Sequence, residues 1–299
     1  MLRVRLVVSL LAGALLAAPS AVFAQSDGAG APPADAAPPA QAGLAVEIDQ
    51  TLVNLPTTLP LKAHHSYFRL THRFARDLGQ GSFGDLVGDL FSLDNGSVMG
   101  LEYRFGLTST LQAGLHRSAL GKTIEAFGRW DALHERDGMP LGLSATVSIE
   151  GQNNLRLDPQ PGVSVTVSRS QGSRLALYAT PSYVHNSHTE TLRLLHEGHS
   201  HAGIEQDEED LSTAVDTFFL GVGARLRVRE TVSVVFEAAP RLAGYAPGAT
   251  PWNAAVEKLT RGHVLQLNFG NNFNTTPGMI ARGGTAGEVF MGFNLSRKF

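Results

Sequence analysis

From His64 onward the chain is written in segments of about 8 to 14 residues that alternate apolar with polar and are separated by turn residues. Period-two alternation belongs to a strand with one apolar and one polar face. Leu141, Leu143, Ala145, Val147 and Ile149 alternate with Gly142, Ser144, Thr146, Ser148 and Glu150. Phe218, Leu220, Val222, Ala224, Leu226 and Val228 alternate with Thr217, Phe219, Gly221, Gly223, Arg225 and Arg227. Twelve such segments can be drawn: 64–75, 97–105, 109–117, 121–134, 139–150, 162–169, 173–186, 215–228, 231–242, 251–260, 263–272 and 286–299. A soluble sandwich shows the same alternation, so the period alone does not choose between a sandwich and a barrel.

The content of the polar phase does choose. With each apolar phase turned outward, the inward set includes Arg69, Arg73, Glu102, Arg104, Glu125, Arg129, Arg174, Arg225, Arg227, Glu237, Arg241 and Lys298. In a dry core each unpaired charge costs roughly several kcal/mol. Around water, or in a salt-bridged barrel interior, the same set is natural. Loop lengths agree. Counting back from Phe299, short turns at 106–108, 135–138, 170–172, 229–230 and 261–262 fall at one end of the strands. The intervening loops, 76–96, 118–120, 151–161, 187–214, 243–250 and 273–285, fall at the other and are mostly long. Short turns on one side, long loops on the other and an even strand number are the outer-membrane arrangement. The expected fold is therefore all-β: a transmembrane antiparallel up-and-down β-barrel of about twelve strands over 64–299. WNAAVEKLT is counted as a strand, although its Ala and Glu content also suits a short helix, and residues 81–91 have helix-like spacing within the first long loop.

The other end of the chain fits export. Arg3 and Arg5 precede an apolar run that ends in small residues, with Val22 and Ala24 at cleavage spacing, which predicts a signal peptide over 1–24. Residues 25–43 are an Ala/Pro/Gly-rich stretch expected to be a disordered linker, and 44–63 follow as a periplasmic lead-in or a plug for the lumen. The net charge of −3 and the lack of a basic run give no sign of a nucleic-acid partner, and the absence of cysteine excludes thiolate sites and disulfides. The expected location is a bacterial outer membrane, with its lipid as one partner and small solutes as others; no oligomeric state follows.

Chemistry candidates are few. His185, His188, His196, His199 and His201 precede an acidic run, and a folded loop could gather His196, His199 and His201 around Zn, Cu or Ni. The plainer reading of the same tract is a solvated outer loop. No GxSxG or comparable nucleophile constellation appears, and His72 falls in the lipid-facing phase. The expectation is not an enzyme, and no cofactor is implied.

The stretch GHVLQLNFGN at 262–271, with GFNLSRKF at the C-terminus and YFRLTHRFA at 67–75, resembles an uncharacterised bacterial outer-membrane β-barrel family, a domain of unknown function. The resemblance covers about 64–299; it implies a single-chain barrel and adds no site. The terminal aromatic, Phe299, on an alternating last strand resembles the signal by which barrel-assembly machinery recognises its clients, although Arg297 departs from that pattern. Two readings of the lumen remain. Its basic lean suits a pore preferring anions; equally, Arg–Glu pairs could knit the interior into a closed structural or binding barrel.

Overall fold

A computed structural model describes residues 46–90, 93, 96–187 and 215–299. The expected signal peptide and linker lie outside these residues. Among the described residues no helix is long and apolar enough to cross a membrane.

The strands follow the alternation. In chain order they are β1 (Ser66–Phe74), β2 (Ser97–Gly106), β3 (Leu111–Ser118), β4 (Ile124–Leu133), β5 (Gly142–Gly151), β6 (Leu157–Gln171) and β7 (Leu175–Val184). After these come β8 (Thr217–Arg229), β9 (Val232–Ala238), β10 (Arg241–Gly244), β11 (Trp252–Leu259), β12 (His263–Gly270) and β13 (Phe290–Lys298). All pair antiparallel, and the first strand closes on the last, with Tyr67 opposite Lys298, Arg69 opposite Ser296 and Thr71 opposite Asn294. Strands β9 and β10 both pair with β8 and form one stave interrupted at Ala239 and Pro240, so the closed barrel has twelve staves. Proline lacks the N–H that an unbroken ladder needs there.

The two faces are inverted relative to a water-soluble protein. On β12, Leu265 and Leu267 are 46% and 47% exposed, while Gln266 and Asn268 are 4% and 1% exposed. On β4 and β5, Trp130, Val147 and Ile149 face outward while Arg129, Asp131 and Ser144 are buried. An apolar exterior around a polar interior is what a lipid solvent selects, and barrel closure leaves no unpaired edge in it.

WNAAVEKLT is strand β11, and the helix expected near 81–91 is a short one, α1 (Phe83–Gly88), with Ser82 and Asp85 forming a reciprocal capping box. Strand β6 begins at Leu157 instead of 162, so the loop expected over 151–161 shrinks to 152–156. Its first residues pair with β5 alone, Gln160 opposite Glu150 and Pro161 opposite Ile149, and β7 joins only from Gly162. Proline is tolerated in that overhang because no ladder bond is required on the free side.

The connection from β12 to β13, residues 271–289, does not project outward as a plain loop. It carries α2 (Pro277–Ala281), started by the Thr276 side chain, with Gly278, Met279, Ile280 and Ala281 all buried. The helix lies against β6, β7 and β8, far around the barrel from the strands that hold its ends. It therefore crosses the mouth.

Candidate functional site

Residues 46–62 lie inside the barrel. Their partners sit on β1, β4, β6, β8, β9, β12 and β13, strands all around the wall, which only an interior segment can reach. Leu52, Val53, Leu55, Leu59 and Leu61 are each 2% exposed or less. The segment turns at its inner end, where Leu52 donates its amide to the Leu55 carbonyl and Thr57 to the Gln50 carbonyl. It then leaves past Gly106 to reach β1, with the His64 amide donating to the Gly106 carbonyl.

Glu237 on β9 is the main anchor. Its carboxylate accepts the backbone amides of Val53, Asn54 and Leu55, all at 3.0 Å, and the Asn253 side-chain amide at 3.0 Å. Arg69 donates to the Thr51 hydroxyl and the Val53 carbonyl, and Arg73 donates to Asn54 Oδ1. Ser296 donates to Asp49 at 2.7 Å, and Thr58 meets Ser168 at 2.5 Å. The inner turn packs against Tyr178, Phe219 and Val235 of the wall and against Ile280 and Ala281 of α2. Segment and mouth helix thus share one small core.

The wall charges pair sideways. Arg69 bridges Glu102 on the next strand at 2.8 Å, and Glu102 also takes Arg104 two residues along. Arg129 pairs with Asp131 at 2.6 Å on the same strand, and Arg225 pairs with Glu257 at 2.8 Å two staves away. Arg104 also stacks over the Tyr67 and Phe127 rings, at 5.5 and 5.0 Å. None of these pairs spans the lumen. The centre is filled by the segment, not by wall side chains reaching across.

Of the twelve side chains expected inside, Arg69, Arg73, Glu102, Arg104, Glu125, Arg129, Arg225 and Glu237 are buried there. Arg227 and Arg241 are half-buried; Arg241 is tied to the Gly248 and Ala249 carbonyls at the rim. Arg174 is exposed in the turn before β7, and Lys298 is exposed at the end of β13, where its Nζ reaches the Ile48 carbonyl at 3.3 Å. Position at or near a strand end separates these two from the rest. Glu150 and Glu257 were missing from the expected set although both lie in the inward phase. Glu150 accepts the Gly278 amide at 2.9 Å and so holds the start of α2, where any side chain on Gly278 would collide with that carboxylate.

His196, His199 and His201 fall outside the described residues. Among the described residues no cluster of three or more His, Asp or Glu side chains is arranged to hold a metal ion. At the edge of that long loop, Asp216 accepts the Tyr183 hydroxyl at 2.6 Å and the Asn186 amide at 3.0 Å and pairs with His185 at 2.8 Å. The Tyr183 hydrogen bond, then the Asn186 amide, hold its carboxyl below the usual range, with His185 adding to the effect. A depressed carboxyl contributes stability above its unfolded value, about 3.9, that is lost as pH falls through the folded one. Corrected for the intrinsic exchange rate, the protection of the Asn186 amide in deuterium-exchange measurements is therefore expected to fall as the pH drops below about 4, and D216N should remove that pH dependence.

Similar folds occur among solved structures. The KdgM porin shares 7% identity with a TM-score of 0.48, covering 79% of this chain and 99% of that one. The NanC porin shares 8% with a TM-score of 0.47, covering 78% and 100%. The COG4313 outer membrane channel from Pseudomonas putida F1 shares 14% with a TM-score of 0.43, covering 85% and 100%. A search of curated proteins gave no match. Residues 49–299 match the profile of the membrane bound beta barrel domain (DUF5777), a span that includes the lumenal segment from Asp49 as well as every strand. The chain belongs to this family of membrane-bound β-barrels.

Proposed function

We propose that the protein is an outer-membrane channel for small polar solutes, closed in this state by its own residues 46–62. The observation that carries the reading is the sideways pairing of the wall charges. A barrel whose interior is knitted shut would pair its charges across the lumen. Here each pair closes within one or two staves, so withdrawal of the segment leaves a polar, hydrated bore. Polar residues around water set the character of such a pore.

The solute class is polar rather than anionic. Glu150 and Glu257 join Glu102, Glu125, Asp131 and Glu237 in the wall, so the buried acids offset the buried arginines of the wall and the basic lean disappears. The apolar run behind Arg3 and Arg5, with small residues at cleavage spacing, supports export, and the alternating β13 with its aromatic Phe299 supports handling by the outer-membrane assembly machinery. Phe299 is held in the barrel seam by a backbone pair with Ser66, its side chain 59% exposed and stacked by Arg297 at 4.8 Å.

Locking the segment tests the channel. A Cβ at Gly142 would lie 2.9 Å from the Thr58 Cβ, and the natural chain has no cysteine. A small shift brings that pair to the roughly 3.5–4.5 Å that a disulfide needs. In planar bilayers T58C/G142C should be silent when oxidised and should conduct after reduction, at or above the natural protein's level. A reduced variant and a segment-deleted variant that are both silent would overturn the channel.

A further inference from the structure

The wall meets the lumenal segment largely through main-chain atoms. Between Thr51 and Leu55 the segment belongs to no helix or extended strand, and apart from the Leu52 amide, which meets the Leu55 carbonyl, most of its backbone groups need partners from outside. Side chains of the wall supply them. Glu237 takes three consecutive amides. Arg225 donates to the Thr51 carbonyl at 2.7 Å, Gln266 to the Leu52 carbonyl at 2.9 Å, and Arg69 and Asn294 both to the Val53 carbonyl at 3.0 Å. All five wall residues are 4% exposed or less. Their own charges are largely compensated within the wall, since Glu257 neutralises Arg225 and Glu102 neutralises Arg69. What remains is directional: along one arc of the wall, carbonyl-seeking N–H groups flank an amide-seeking carboxylate.

Such an array reads the spacing of C=O and N–H groups, the feature common to all peptides. The side chains at this turn add mainly apolar burial through Leu52, Val53 and Leu55. A sugar would present hydroxyls, and an inorganic anion would meet Glu237. We propose that this part of the lumen is a peptide-binding site, that residues 51–55 occupy it as a tethered pseudo-ligand, and that the cargo is short peptides. As a statement about cargo this rests on the channel reading; as a statement about binding it does not.

The test uses a chain lacking residues 46–60, with full-length V53P/L55P, whose segment loses two of the amides that Glu237 accepts while the wall stays intact, as a second acceptor should the deletion fold poorly. The probe is a synthetic peptide of residues 46–62, followed by calorimetry in detergent and by block of conductance in bilayers. The peptide should bind and block. Alanine at Asn54, which loses a side-chain bond to Arg73 and keeps the backbone, should weaken it by only about tenfold. N-methylation at Val53, Asn54 and Leu55 should weaken it about a hundredfold or more, because charge-assisted bonds to Glu237 are lost. Maltooligosaccharides and inorganic phosphate should not compete. A barrel that conducts but does not bind the peptide overturns the inference and leaves the channel standing. Equal binding of the N-methylated peptide, or equal competition by sugar or phosphate, also overturns it. Peptide binding with no conductance supports the site and sinks the channel.

Discussion

Replacing Glu237 by alanine should free the lumenal segment while leaving the barrel closed. The substitution removes one acceptor and leaves the amides of Val53, Asn54 and Leu55 buried without partners. Orphaning donors of a charged acceptor costs roughly 3–5 kcal/mol in total, even allowing for partial compensation. At about 1.4 kcal/mol per decade, the undocked population rises by roughly two to three and a half orders of magnitude. Deuterium exchange at residues 50–57 should accelerate by about that factor, and bilayer conductance should rise with it, while strand amides keep their protection. E237Q keeps one carbonyl acceptor and should fall between the two. Unchanged exchange in E237A would show that the apolar contacts of Leu52 and Leu55 hold the segment without help from the carboxylate.

The second large effect is expected in the wall. Glu257 and Arg225 are both fully buried, joined by two bonds at 2.8 and 3.1 Å, with Gln266 donating to the same carboxylate at 2.8 Å. E257A strands the Arg225 guanidinium with the Thr51 carbonyl as its remaining partner. Removing one member of a buried pair costs roughly 3–5 kcal/mol, so the apparent melting temperature in detergent should fall by on the order of 10 °C. Replacing both, as R225M/E257L, should recover a good part of that loss, because the stranded charge goes with its partner. If the double variant melts no higher than E257A, the pair is not the source of the effect.

Much of the barrel was legible in the alternation, because lipid outside and polar groups inside impose the period on every stave. The Trp252–Leu259 stave was ambiguous by composition and is resolved by its neighbours: β9 and β12 are long enough to need a partner between them. Boundaries near proline were not legible. The run DPQPG reads as loop, yet its first residues extend β6 along β5, since only one side of the strand is paired there. The lumenal segment was the least legible part. Pro56 and Pro60 break any regular pattern in 44–63, and a stretch whose backbone is satisfied by distant side chains leaves no local periodicity to read. Glu257 was missed as an interior charge for a related reason, since its importance lies in a partner two staves away. The fold of 271–289 over the mouth was hidden too, because its anchor, Glu150, is remote in sequence.

The contacts that fill the interior also set how the molecule must assemble. Ser296 meets Asp49 across 247 positions, Asn294 meets Val53 across 241, and Glu237 meets Val53 across 184. Closing loops of that length costs entropy before any of these bonds can form, so they come late on the folding route, with the β1–β13 seam. Hairpins between successive strands can form early and locally. The segment's bonds are then the last to be made, and a nascent barrel passes through a stage with a hollow, charged interior before residues 46–62 fill it.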